Sequence, residues 1–135
     1  MRLFHEFDAW DVRPDIDRLF QERGIILHEL SAVSVQRGGD CLDIDLLAAN
    51  STRAVVVAIR KTLRQADVDE HLERLSKFKR LMPRYRDVNA LGAVAAMVVP
   101  ADVARYAYRQ GLFVMAQSGD DMVLLNDPNF SPRAW

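Results

Sequence analysis

Cysteine is almost absent from this 135-residue chain. Cys41 is the only one, so no intrachain disulfide can form and a disulfide-stapled secreted scaffold is excluded. Charge of one sign is not in excess either. Eighteen Lys and Arg stand against nineteen Asp and Glu, a formal net charge of −1. A duplex-coating protein usually carries a clear basic surplus, so any nucleic-acid role needs a local patch. Long apolar runs are missing too. The longest, residues 90–99, is far shorter than the roughly 20 residues of a membrane-spanning helix. The N-terminal stretch MRLFHEFDAWDV is broken by His5, Glu6, Asp8 and Asp11 and lacks the apolar core of a signal peptide. The histidines His5, His28 and His71 show no ligand spacing with Cys41, which argues against zinc. Gly38-Gly39, Gly92 and Gly119 form no phosphate-binding fingerprint. No repeat or low-complexity tract is present. The expectation is a cytoplasmic chain with no membrane segment.

What is present is an ordinary globular composition, 50% hydrophobic and 27% charged. A domain of this length buries roughly two thirds of the surface its unfolded chain exposes, so no metal or disulfide staple is required. One domain over residues 1–135 is expected, its core at about 14–126.

The order of elements can be read from periodicity and turn chemistry. A helix begins near Pro14, carries Ile16, Leu19 and Phe20 on one face, and stops at Gly24. Strands are expected over 25–35, 41–48 and 54–60, the first two joined by a tight turn at Arg37-Gly38-Gly39-Asp40. In the second, Leu42, Ile44 and Leu46 alternate with Asp43 and Asp45. The third is apolar almost throughout, as a central strand covered on both faces must be. A helix capped by Asp67, with Glu70 completing a capping box, carries Val68, Leu72, Leu75, Phe78 and Met82 at helical spacing and ends before Pro83. His71 on this helix is expected to be exposed, and Cys41 to be a small packing residue. A strand over 91–99, a short helix opened by Pro100 with Val103, Ala104 and Ala107, and strands over 112–116 and 122–125 follow. Phe130 and Trp135 are expected to dock the tail by burial. Consecutive short-turned strands imply an antiparallel meander, and the later strand–helix–strand pattern a parallel crossover. The product is an α/β chain of the mixed α+β kind, order α-βββ-α-β-α-β-β, its mixed central sheet flanked by helices.

Three segments carry a resemblance. They are Leu42-Asp43-Ile44-Asp45-Leu46-Leu47, then Val55-Val56-Val57-Ala58-Ile59-Arg60-Lys61-Thr62-Leu63, then a helix opening Asp67-Val68-Asp69-Glu70-His71-Leu72. Together with the element order they resemble the PD-(D/E)XK nuclease superfamily and its restriction-endonuclease-like core, in particular small prokaryotic members. The resemblance spans about residues 24–116. It implies phosphodiester hydrolysis through hard cations held by carboxylates on adjacent strands, with a lysine two residues beyond the second carboxylate. Asp45 matches the first carboxylate and is the one candidate metal ligand. Ala58 stands at the second carboxylate and Arg60 at the lysine. Alanine offers no ligand atom, and arginine stays protonated where lysine can be tuned. Lys61 falls on the opposite sheet face, and shifting the register by one puts Ile59 at the carboxylate position, so no register restores the pair.

The leading expectation is therefore a nuclease-like protein without catalysis, with no cofactor, acting as a binding or structural module. Its partner would be nucleic acid or a second copy of itself. Arg60, Lys61 and Arg64 are the candidate nucleic-acid contacts, within a basic run that continues through Lys77, Lys79, Arg80, Arg84 and Arg86. Arg60 shares a face with Asp45 and Asp43 and is expected to pair with one of them. The alternative is an active Mg²⁺-dependent DNA endonuclease with a rearranged site, Asp45 joined by Asp43 on the same strand or Glu29 on the first.

Overall fold

The computed structural model describes residues 9–135, and their side chains from Val12 onward. The N-terminal stretch, with His5 and Glu6, lies outside the described residues. Helix α1 (Ala9–Glu22) is followed by strands β1 (Glu29–Arg37), β2 (Asp40–Ala49) and β3 (Arg53–Thr62). Then come α2 (Gln65–Leu81), a 3-10 turn (Pro83–Tyr85), β4 (Asn89–Val98), α3 (Ala101–Arg109), β5 (Phe113–Ser118) and β6 (Asp121–Leu124). The order is the one periodicity implies. One six-stranded sheet holds the strands in sequence order. β3, β4 and β5 are parallel neighbours and the remaining pairs antiparallel.

The sheet divides the core in two. Ile16, Leu19 and Phe20 of α1 pack on one face against Leu46, Val55, Val57, Phe113, Met115 and Met122. Val68, Leu75 and Phe78 of α2, with Val103 and Ala107 of α3, cover the other face against Ala54, Val56, Ala58, Val94 and Val114. Between them, residues 54–58 of β3 are at most 1% exposed. The arrangement is a three-layer α/β mixed sheet flanked by helices. The tail docks as its aromatics suggest: Phe130 packs on Tyr108 and Phe113, and Trp135 donates its backbone N–H to Ala90.

Three boundaries differ from the expectation, each for a local reason. Pro14 lies inside α1, which runs on upstream to Ala9; its missing N–H costs one helical bond, on an exposed face. Residues 25–28 are not ladder: Ile25 returns its N–H to Phe20 at the helix end, and Ile25 and Leu27 are buried without strand pairing. Helix α2 starts at Gln65 with Arg64 as its N-cap, so Asp67 stands at the third helical position and accepts the Arg64 N–H at 2.9 Å. It is the carboxylate half of a capping box, not the cap.

Gly92 sets how closely α2 approaches. A Cβ there would lie 2.5 Å from Leu75 Cδ1 and 2.6 Å from Leu112 Cδ2. Gly92→Ala forces both buried leucines to shift and should destabilise the fold by about 1–3 kcal/mol. Urea unfolding checks this, an unchanged midpoint contradicting the close approach.

Candidate functional site

The site grows from an irregularity in β2. Across β1, Ser31 faces Leu47 and Val33 faces Ile44, so Asp45 and Leu46 together oppose Ala32. This bulge inverts the phase of the strand. Before it Leu42 and Ile44 point to the α2 core; after it Leu47 and Ala49 do, and Leu46 and Ala48 turn to α1. The ladder with β3 ends at Leu46 opposite Val57. Beyond that point the Asp45 carboxylate does the work of a strand carbonyl, its Oδ2 accepting the Ile59 N–H at 2.8 Å.

Arg60 extends the alternation of Ala54, Val56 and Ala58 to the carboxyl end of β3, beside the first turn of α2. Its Nη1 donates to the same Asp45 Oδ2 at 2.8 Å and to the Ile59 carbonyl at 2.7 Å. Its Nε lies 3.5 Å from Asp67 Oδ1. One guanidinium thus stands between a carboxylate of β2 and a carboxylate of α2. Asp67 is 3% exposed. Burial works to raise its pKa, but hydrogen bonds from the Arg64 side chain and backbone, with the charges of Arg64 and Arg60, hold it below the ordinary value.

One turn further along α2, His71 is wholly buried, contrary to the exposure expected for it. Positions 67, 71, 75 and 78 share one face, and the face points inward. His71 Nε2 lies 2.9 Å from the Val56 carbonyl, which can only accept, and Nδ1 lies 2.9 Å from Arg74 Nη1, which can only donate. The ring is therefore neutral and protonated on Nε2. Burial, with the Arg74 charge beside it, pushes its pKa down to about 4.

The other candidates lie apart. Asp43 is exposed and accepts a 2.6 Å bond from Ser34 of β1. Two residues from Asp45 in sequence, it does not join that carboxylate's contacts with Ile59 and Arg60. Glu29 opens β1 opposite Ala49, four residues along β2 from Asp45 and about 13 Å away at strand spacing. Ala58 is a buried core methyl, 1% exposed. Lys61 is exposed. Arg64 reaches Asp67 from solvent, its Nη2 at 3.3 Å. Lys77 and Arg80 of the basic run both grip Asp40, at 3.1 and 2.8 Å. Arg80 foremost, then Lys77, lowers the Asp40 pKa to about 2. Cys41 is exposed, not packed.

A divalent cation does not fit these residues. Ala58 supplies no oxygen, and the Asp45 oxygen facing β3 already accepts two N–H groups. A permanent positive charge also occupies the space between the two carboxylates. Among the described residues no group of three or more His, Cys, Asp or Glu side chains could hold a metal ion. Asp67, His71 and Arg74 are the site residues that sequence reading missed; their signal was the spacing of 67 and 71 with Leu75.

No protein-family model matches the chain, nor does any curated protein. Among solved structures it is similar to the crystal structure of a protein of unknown function, AF1548, with a TM-score of 0.53 and 14% identity. The match covers 75% of this chain and 54% of that one, so the chain spans about half the length of that protein. At this identity the likeness concerns the α/β fold alone. Among the described residues no helix is long and apolar enough to cross a membrane.

The buried imidazole makes stability pH-dependent in a defined window. Its folded pKa lies below its unfolded value, so the unfolded chain binds the extra proton. His71's contribution is complete above about pH 6.5 and is lost as pH falls toward 4, by roughly 1 kcal/mol per pH unit. The carboxylates Asp40 and Asp67 are shifted downward and act only below about 4. Urea unfolding of the wild type between pH 7 and 4.5 should show this loss, and His71→Gln should flatten it. Equal slopes in the two proteins would contradict the assignment.

Proposed function

We propose that the chain has a restriction-endonuclease-like core that has given up catalysis and serves in the cytoplasm as a binding or structural module. The observation that carries the reading is Arg60 seated between Asp45 and Asp67. In the motif the chain resembles, a cation held by two carboxylates polarises the phosphate. Here the one retained carboxylate is neutralised by a side chain of the protein itself, and the second position is the Ala58 methyl. The arrangement ties β2, β3 and α2 together. The partition of the basic run supports the same direction: Arg60, Arg64, Lys77 and Arg80 all have carboxylate partners within the chain. Lys61, exposed beside them, is the residue best placed to meet a phosphate. Any hold on nucleic acid should therefore be weak, with a shallow salt dependence, because few phosphates would be neutralised.

The purified protein, incubated with single- and double-stranded DNA and RNA in millimolar Mg²⁺ or Mn²⁺, should show no cleavage above that of Asp45→Ala. Metal-dependent cleavage abolished by that substitution would overturn the proposal. Arg60→Ala should destabilise the fold by about 1–3 kcal/mol, because it leaves the buried Asp67 with Arg64 alone and removes the partner of Asp45. A neutral effect in urea unfolding would mean the guanidinium holds nothing together.

A further inference from the structure

Apart from the cluster around Arg60, the surface carries an apolar groove with charge on its rim. It lies between α3 and the residue pair that follows β6, and has a volume of about 310 Å³. Ala104 and Tyr108 form one wall, Val114 and Leu125 the other, with Asn126 between them. The walls are held in place. The Asn126 amide is buried, accepting from the Val114 N–H at 2.7 Å and donating to the Leu112 carbonyl at 3.1 Å. Tyr108 packs against Phe130 as a tilted pair with ring centroids 4.8 Å apart, and its hydroxyl donates to Asp127 at 2.8 Å. A cleft whose sides are pinned this way is preformed, as small-molecule sites usually are.

Its apolar lining continues past the opening. Leu125 is 48% exposed, Tyr108 36% and Val123 38%. Val123 pairs with Ala116, and Leu125 donates its N–H to Val114, so both branched side chains stand on the α3 face of β6. Both side chains stay partly open to solvent there. On the rim, Arg105 and Arg109 lie one helical turn apart, and among the described residues no carboxylate lies within ion-pair distance of either. This contrasts with the basic run of α2, where the cations nearest the sheet have acidic partners.

We propose that this groove binds a free amphiphilic carboxylate, a linear fatty acid of about ten carbons. The acyl body would lie along Val114, Leu125 and Val123, and the carboxylate against Arg105 and Arg109. The volume fits: at about 30 Å³ for each water-sized group, 310 Å³ takes on the order of ten carbon atoms. Charge complementarity selects an anion over a neutral or cationic body, since two unpaired guanidiniums flank one apolar cavity. The same two cations disfavour a second copy seated face to face by a two-fold axis, which would bring like charges together. This site is independent of the cluster at Arg60 and of the function proposed for it.

The test uses decanoate, decanol and decylammonium with the full chain, read by amide chemical-shift changes and by calorimetry. Decanoate should bind with shifts centred on Ala104, Val114 and Leu125, decanol should bind at least several-fold more weakly, and decylammonium should not bind. Arg105→Glu with Arg109→Glu, both exposed, should weaken decanoate tenfold or more without moving the thermal midpoint, and Leu125→Asp should abolish binding. Decanol binding as well as decanoate, an unchanged affinity in the double charge reversal, or shifts elsewhere would each overturn the proposal. So would absence of binding in a protein that sediments as a dimer and becomes monomeric on Leu125→Asp, which would assign the groove to a second copy.

Discussion

One guanidinium ties three elements of this molecule together. Arg60 leaves the end of β3, meets Asp45 at the point where β2 separates from it, and faces Asp67 in the first turn of α2. The contact with Asp45 needs β2 in place beside β3, and the contact with Asp67 needs the first turn of α2. The bulge at Asp45–Leu46 breaks the β2–β3 ladder and leaves the Ile59 N–H without a strand partner, and the Asp45 carboxylate fills that vacancy. A buried carboxylate at the third position of α2 would be unfavourable if left unpaired, and Arg60 and Arg64 compensate it from two sides. The junction of strand and helix is held by charge where most of the fold is held by apolar packing.

On the function proposed above, the same geometry is what sets this chain apart from a metal-dependent hydrolase. A divalent cation is recruited by clustered, uncompensated oxygen ligands, and it activates water because it keeps open coordination positions. A guanidinium placed among carboxylates satisfies their charge through fixed hydrogen bonds and has no position for water to coordinate. Below the cluster, the neutral His71 and its partners Val56 and Arg74 continue the polar seam under α2 without contributing an acid or base near neutral pH. The seam gives orientation and register to a helix whose remaining inward contacts are Val68, Leu75 and Phe78. These contacts are non-directional.

Much of this architecture was legible from local rules. The two glycines at 38 and 39 adopt φ of +57° and +81° between the paired Arg37 and Asp40, as a two-residue hairpin requires. The apolar run of β3 announced a strand covered on both faces, and the sheet face that Arg60 shares with Asp45 placed it within reach of that carboxylate. The bulge was not legible. Residues 46–49 are all apolar, so they satisfy either phase of the strand, and nothing in the pattern marks where alternation inverts. That same phase change is why Asp43, two residues from Asp45, pairs with Ser34 and not with the cluster. His71 was misread for a different reason. Its polarity suggested solvent, while its spacing from Leu75 and Phe78 placed it in the core, and a neutral imidazole with two partners can be buried at modest cost. Asp67 was read as a cap because Asp serves both at the cap and at the third position, and only the path of residues 63–65 decides between them.

On the function proposed above, Arg60 has taken the place a metal ion would need. Calorimetric titration of the wild type with Mn²⁺, set beside the same titration of Asp45→Ala, tests it most directly. Matching traces are expected, with no stoichiometric site in either protein. A one-to-one binding event in the wild type that disappears with Asp45→Ala would contradict it.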